Sequence, residues 1–547
     1  MKHFPTALPD RWTRRAFLQA GMAAGALPFA PRLLRAGEPA AKPALPTAKT
    51  FLFLDWFHVK KGDLAPALDP ARISAEGRKM LEGMARDSGK NYDQSGHGLR
   101  PVDVPSGIRI QQEVAQKSAP WLRADQPWER GVAGATVLFD EGRFRCWYTA
   151  RLVGQPADLT VDRGRAMEVS GTALAYAESD DGLLWKKPAL GILSHGGSRE
   201  NNLVTGFHNG GSVFRDDHGP AEERYKLFQF DALPTDEVEK NAPNQKRYGL
   251  YGVTSPDGYS WTRHDRPLLR YFSDTFNIGA WDPLLQKYVG YFRHHLSGRT
   301  ISRAETEDFW HWPEAQPLLY AGPLDKPADD YYTNGYTIYP GQPSLRLLFS
   351  AIYHRDSDAV DVRLGVSRDG RAYSWISYDP IIQLGQAGDW DRGSIYASTN
   401  LVMLPDGRLA LPYTAYNTTH NEAWFRTFYG DYDVQSGVGW ATWPDGRLAG
   451  IVADEAGRFT TNAARFDGTQ IQINARTLPE GSIEMELHER GKVLAGFSFA
   501  DAIPFSGDAT WANCRWRGQT DLTALRGKNL ELSLRLRHAK IFAGRFV

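Results

Sequence analysis

The chain of 547 residues holds only two cysteines, Cys146 and Cys514. Thiols so far apart exclude a disulfide framework and a cysteine-based zinc site, and both are expected as unpaired core residues. Charge of one sign is not in excess: Lys+Arg and Asp+Glu number 64 each, without the basic bias of a nucleic-acid or anionic-membrane binder. No run of about 18 or more apolar residues occurs, so no membrane-spanning helix is expected. No His-x-x-x-His pair occurs either; no metal or cofactor is assigned, and calcium in an axial channel is the one ion left open. What the chain has in quantity is glycine (53), proline (33) and aromatic residues (12%, with 17 Trp). This favours turns and strands over long helices, and aromatic faces also suit stacking on sugars.

The N-terminus reads TRRAFLQ (Thr13 to Gln19), then the mildly apolar AGMAAGALPFA. Arg14 and Arg15 ahead of a run too short to span a bilayer resemble a twin-arginine export signal. Cleavage between Ala36 and Ala44 would release the protein into the periplasm or beyond, without a membrane partner.

Self-similarity dominates the rest. ALAYAESDDGLLW (Ala173 to Trp185), LYGVTSPDGYSW (Leu250 to Trp261), TISRAETEDFWHW (Thr300 to Trp312) and LGVSRDGRAYSW (Leu364 to Trp375) share one plan: an apolar strand, a Ser/Thr-x-Asp-Gly-like turn, then an aromatic. The polar side chains accept backbone N–H bonds inside the turn, glycine takes its positive φ, and the Trp packs back on the sheet. TWPDGRLAG (Thr442 to Gly450) is a weaker fifth copy. Two more β-patterned runs precede each turn, as in IGAWDPLLQKYVGYFRHH (Ile278 to His295). With about 50 to 75 residues per repeat, each is one four-stranded blade, and the expected fold is all-β, a five-bladed β-propeller followed by a C-terminal β-sandwich. The expected division is 1–45 signal and linker, 46–436 propeller, and 437–547 closing strand and sandwich. Helix is expected mainly over Pro70 to Ser88.

With phrases such as ERYKLF, TSPDGYSW, KYVGYFRHH, SRAETEDFWHWP and DLTALRGKNLELSLRLRHAKIFAGRF, the chain resembles the five-bladed propeller glycoside hydrolases of the invertase-like and arabinanase-like group, in particular exported planctomycete-type members, over about Phe51 to Val547. The invertase-like Asn-Asp-Pro-Asn-Gly, Arg-Asp-Pro and Glu-Cys signatures are missing, so no catalytic residue is carried over from that group.

Candidates come instead from the starts of first strands, which converge on a propeller's axis. They are Glu129, Asp274, Asp330 and Asp391, with Asp55 of FLFLDWFHV as a further acid flanked by apolar residues. Glycoside cleavage needs two carboxyl groups across the scissile bond, and Glu129 with Asp274 is the preferred pair. Asn277, Arg293, His294, His354, Arg355, Arg392 and His420 are expected to bind substrate at the rim. Trp56, Trp128 and Trp390, which escape the repeat pattern, are expected to stack on sugar rings. Glu305 and Glu178 fall at an outer hairpin and are read as structural.

The resemblance implies an exported enzyme hydrolysing O-glycosyl bonds of poly- or oligosaccharides. A non-catalytic carbohydrate-binding propeller is the alternative. A sialidase-like enzyme, suggested by the Asp-box-like turns, ranks third because it needs an arginine triad, a tyrosine nucleophile and typically six blades.

Overall fold

The computed structural model describes residues 49–88, 98–153, 159–160, 171–206, 210–234, 238, 244–422, 425–426, 434–519 and 521–547. The expected export signal lies outside them. The chain divides into one unit of residues 114–442 and another of 44–113 with 443–547.

Strands in the first unit form five antiparallel blades of one plan, the fourth and fifth joined into one sheet by a parallel pair, Val360 with Ser394. Blade one uses Glu129–Asp140, Arg143–Leu152, Thr172–Ser179 and Leu203–Thr205. Blade two uses Phe214–Arg215, Tyr225–Ala232, Tyr248–Ser255 and Thr262–Leu269. Blade three uses Ile278–Asp282, Lys287–His295, Arg299–Thr306 and Gln316–Leu319. In blade four, Asp329–Thr333 and Tyr336–Ile338 precede Arg346–His354, Ala359–Ser367 and Ser374–Trp375. Blade five begins Ser394–Ala397, Val402–Met403, Arg408–Tyr416 and Ser436–Pro444. Its outermost strand comes from ahead of blade one: Gln116–Lys117 and Leu122–Arg123 pair with Ser436–Pro444.

The first strands close a circle by their own hydrogen bonds. Thr136 Oγ1 accepts from Val213 N at 3.2 Å, Gly211 bridges Asn277, and Thr275 Oγ1 donates to the Tyr332 carbonyl at 3.1 Å. Leu401 N donates to Thr337 Oγ1 at 3.1 Å, and Thr399 bridges back to Thr136. A ring of five blades is therefore complete.

The repeated turns stitch neighbouring blades. Ser179, Ser255 and Ser367 each accept at Oγ, at 2.8 Å, from the amide of Gly182, Gly258 or Gly370, all at positive φ. The carbonyls of those glycines then accept from an aromatic of the preceding blade: Trp440 Nε1 reaches Gly182 at 2.8 Å, Trp147 Nε1 reaches Gly258 at 2.7 Å, and Tyr291 Oη reaches Gly370 at 3.2 Å. Only glycine fits such a turn, since a Cβ on Gly258 would lie 2.5 Å from the Trp147 ring. The carboxylates of Asp181, Asp257 and Asp369 cap the following amides; against the desolvation of burial, these backbone bonds hold all three below the usual carboxylate range. The copy at Thr442 takes another course. After Ser436–Pro444 the chain enters the second unit, where Asp445 accepts at its carbonyl from Asn474 and at its carboxylate from Trp511.

The second unit is also β, and it corrects the expected division. The described residues 49–88 and 98–113 fall in this unit and not in the first: Lys49–Leu52 pairs with the last strand, Asn529–Phe546, and Arg109–Gln112 pairs with Ala449–Thr460. No local pattern announces pairing between segments this far apart in sequence. Register breaks in Ile471–Glu489 bend that long strand, and residues from both of its halves, Ile473 and Leu487 among them, share one core with Phe51, Phe459, Trp516 and Phe546. The helix forms over Ala75–Ser88, within the expected span. Cys146 is buried and both cysteines are free; burial pushes the Cys514 thiol up to about 12.

Candidate functional site

Blades of one plan begin their first strands on the same face of the ring, and antiparallel pairing brings the ends of the second strands to that face. Side chains alternate along a strand, so neighbouring residues at each strand head go to different surroundings.

One set turns into the blades as buried ion pairs. The Glu129 carboxylate is fully buried, 2.5 Å from Lys187 Nζ, and accepts from Tyr148 Oη at 2.5 Å. Asp391 lies 2.7 Å from Lys117 Nζ and accepts from Tyr413 Oη at 3.0 Å. Asp329 pairs with His354 Nδ1 at 2.6 Å and with Arg363 at 3.0 Å. His354 reaches Asp361 through Nε2 at 3.1 Å, and this bond, opposed by desolvation and aided by Asp329, raises its pKa above the ordinary imidazole value. The structure thus places Glu129, Asp391 and His354 in the blade interior, where their charges are answered by protein.

A second set meets around one ring. Asp274 Oδ1 accepts from Arg293 Nη1 at 2.5 Å, and Arg293 Nη2 donates to the Tyr332 carbonyl at 2.9 Å. Asp330 accepts from Arg299 at 2.9 Å and Arg355 at 2.6 Å. The guanidiniums of Arg293 and Arg299 both lie over the Tyr332 ring, 4.4 and 5.1 Å from its centroid. Asp274 and Asp330, from adjacent blades, thus each engage an arginine that overlies one tyrosine ring; their side chains are 17% and 4% exposed. Tyr332 packs in turn on Tyr353, Tyr396 and His420, at 6.1, 5.6 and 4.7 Å between ring centroids. Tyr396 Oη lies 2.6 Å from His420 Nδ1. Beyond Tyr396, Tyr416 accepts from Arg151 Nη2 at 2.9 Å. Arg130, next to the Gly131 that faces Arg151 across the strand pair, is held below its ordinary pKa by burial and by the Arg151 charge.

The remaining expected residues fall elsewhere. Asp55 and Trp56 belong to the second unit, where Asp55 caps the short helix Trp56–His58 through the Phe57 amide. Trp128 donates to Asn202 at 3.1 Å, and Trp390 stacks on Tyr413. The Asn277 side chain is buried against Ser273 and the Thr275 carbonyl. His294 is half-buried at the strand position after Arg293, and Arg392 lies 3.6 Å from Glu422 in the segment that carries His420. Glu178 and Glu305 pair with strand arginines, Arg143 and Arg303.

Arg130, Arg151, Arg299 and the tyrosines at 332, 353, 396 and 416 were not among the expected residues. The pattern that marks one of them, Arg130, is legible: WERG (128–131) repeats the spelling of WDRG (390–393), which holds Arg392, with an arginine directly after the acid in both. Among the described residues no cluster of three or more His, Cys, Asp or Glu could hold a metal ion.

No family model matches the chain, and no curated protein matches it. Solved structures resemble it at low identity. An N-acetylgalactosamine deacetylase from F. plautii, in complex with blood group B trisaccharide, is 14% identical with a TM-score of 0.40, over 63% of this chain and 97% of that one. The catalytic domain of a GH62 α-L-arabinofuranosidase from Coprinopsis cinerea is 13% identical with a TM-score of 0.38, over 60% and 97%. A β-1,2-mannobiose phosphorylase from Listeria innocua is 12% identical with a TM-score of 0.39, over 60% and 96%. The blade count rests on the hydrogen-bonded sheets of this chain, not on these likenesses. No helix among the described residues is long and apolar enough to cross a membrane.

Proposed function

We propose that the protein is an exported glycoside hydrolase, with Asp274 and Asp330 as the carboxyl pair. What supports this reading is that Asp274 and Asp330, from adjacent blades, each engage an arginine that lies over the Tyr332 ring, a ring packed on further tyrosines. Tyrosine offers an apolar face for a pyranose and a hydroxyl for its substituents, while carboxylate and guanidinium fix the sugar by charge-assisted hydrogen bonds. Hydrolysis requires one carboxyl to protonate the leaving oxygen and the other to act as nucleophile or to activate water. Asp274, the more exposed, is the group that touches the substrate at the scissile bond. The preferred pairing thereby moves from Glu129 with Asp274 to Asp330 with Asp274.

A second reading, binding without cleavage, is favoured by the engagement of both carboxylates with arginine. One experiment separates the two. The wild-type chain, Asp274→Asn and Asp330→Asn are incubated with a panel of polysaccharides and aryl glycosides, and released sugar is measured. The first reading expects turnover in the wild type and a loss of about 100-fold or more in each variant, as for removal of a positioned acid or base. Retained binding with no released sugar in the wild type leaves the second. Export is tested by replacing Arg14 and Arg15 with Lys, which should retain the protein in the cytoplasm.

A further inference from the structure

We propose that His354 works as an imidazolium that positions Asp330 from the interior of blade four, and that loss of its proton sets the alkaline limit of the protein's action on a glycan. This deepens the reading of Asp330 as a site carboxylate and rests on it.

Both ring nitrogens of His354 meet carboxylate oxygens: Nδ1 lies 2.6 Å from Asp329 and Nε2 lies 3.1 Å from Asp361. A neutral imidazole carries one N–H and a carboxylate only accepts, so two such bonds require protons on both nitrogens. The charges agree with that state. Asp325, Asp329 and Asp361, none more than 16% exposed, share a single arginine, Arg363, which reaches Asp325 at 2.5 Å and Asp329 at 3.0 Å. The other oxygen of Asp361, Oδ1, is buried without a partner, so among the described residues His354 alone answers that carboxylate. Three carboxylates thus face two cations with the imidazolium and one without it, where an unanswered charge is costly. Tyr331, which donates to Asp325 at 3.1 Å, and Tyr378, whose ring the Arg363 guanidinium overlies at 5.4 Å, are the other titratable groups of the cluster.

Position ties this cluster to the site. Asp329 and Asp330 are consecutive, as are His354 and Arg355, and Asp329 stands opposite His354 in the strand register. The first of each pair meet in the blade interior, and the second meet at the site, where Asp330 accepts from Arg355 at 2.6 Å and from Arg299 at 2.9 Å. Arg355 N also donates to the Ala328 carbonyl at 3.0 Å. Two ion pairs therefore share one stretch of backbone. When the proton leaves, one ring nitrogen becomes an acceptor facing a carboxylate, and the repulsion acts on the residue next to Asp330. The bond to Asp361, opposed by desolvation and aided by Asp329, holds the His354 pKa above its ordinary value. The contribution of His354 is accordingly complete below about 6.5 and lost as pH rises through the folded value.

The test uses the full chain with isotopically labelled histidine. The ring-nitrogen resonances of His354, identified by their loss in His354→Gln, should show both nitrogens protonated at neutral pH. Release of sugar from the polysaccharide panel, and affinity for the same glycans by calorimetry, are then followed against pH. The expected result is an alkaline limb at the pH where His354 titrates. Asp361→Asn should move limb and titration down together by about one pH unit or more, which a merely structural role would not do. Urea unfolding checks that this variant folds; if it does not, the coincidence of limb and titration in the wild type decides. A neutral His354 at neutral pH, a limb apart from its titration, or a limb that stays while the titration moves overturns the proposal. A matching limb in affinity with no released sugar would support it and remove the hydrolase reading. Cleavage whose limb ignores His354 would overturn it and leave hydrolysis standing, and neither binding nor cleavage would overturn both.

Discussion

Glu129→Gln should weaken the fold and leave the chemistry of the folded protein intact. The wild-type carboxylate is 0% exposed and meets Lys187, itself 6% exposed, at 2.5 Å. It also accepts from the amides of Asp125 and Gln126 at 3.3 and 3.4 Å. The amide keeps the volume and part of the hydrogen bonding but removes the charge that answers Lys187. Breaking a buried pair from one side costs about 3–5 kcal/mol. Lys187 keeps a second partner, Asp125 at 2.7 Å, but that carboxylate is 62% exposed and compensates weakly, which points to about 3 kcal/mol. At about 2.1 cal/mol/K per residue over roughly 330 residues, the unfolding entropy is about 0.7 kcal/mol/K, so the melting temperature should fall by about 4 °C. Urea and thermal unfolding measure this, beside turnover per folded molecule on whatever glycan the wild type cleaves. Adding Lys187→Met should recover at least half of the loss, because the stranded cation is gone. Wild-type unfolding together with abolished turnover in Glu129→Gln would refute the reasoning and return Glu129 to the catalytic pair.

Asp282 and Arg346, each 1% exposed, join blade three to blade four through bonds of 2.7 to 2.9 Å; Asp282→Ala should cost about 3–5 kcal/mol in urea unfolding. The turn carboxylates of Asp181, Asp257 and Asp369 lie below their ordinary range in the fold, so between the two values the unfolded chain holds more protons. Their contribution to stability is complete above the ordinary value of about 3.9 and is lost as pH falls from there through the folded values. The urea midpoint should therefore drop on acidification below about pH 4, and drop less in Asp257→Asn.

The propeller was legible because its evidence is local and repeated. A serine, an aspartate and a glycine within four residues report their own turn, and Ser179 to Gly182 or Ser255 to Gly258 behave as the spelling demands. The origin of the fifth outer strand and the placement of Lys49–Leu52 depend on partners hundreds of residues away and leave no such trace. In the site, an acid at a strand head is ambiguous by one residue of alternation. Glu129 and Asp391 turn to a lysine and a tyrosine inside their blades, whereas Asp274 and Asp330 turn to arginines around Tyr332. Which way each acid turns depends on the cation it meets, lysine for Glu129 and Asp391 and arginine for Asp274 and Asp330, and Lys187 and Lys117 carry no mark of that duty in the sequence.

Blade five is finished by segments at 116–117 and 122–123, and the second unit draws Lys49–Leu52 and Arg109–Gln112 onto strands formed near the end of the chain. A ribosome emitting this chain thus delivers edges early whose mates arrive late: the first unit cannot close before Ser436–Pro444 is made, nor the second before Asn529–Phe546. Contacts so distant along the chain slow the search and prolong the exposure of open strands. Removing Asn529–Phe546 should therefore do more than shorten the protein, since it would orphan a segment made nearly five hundred residues before it.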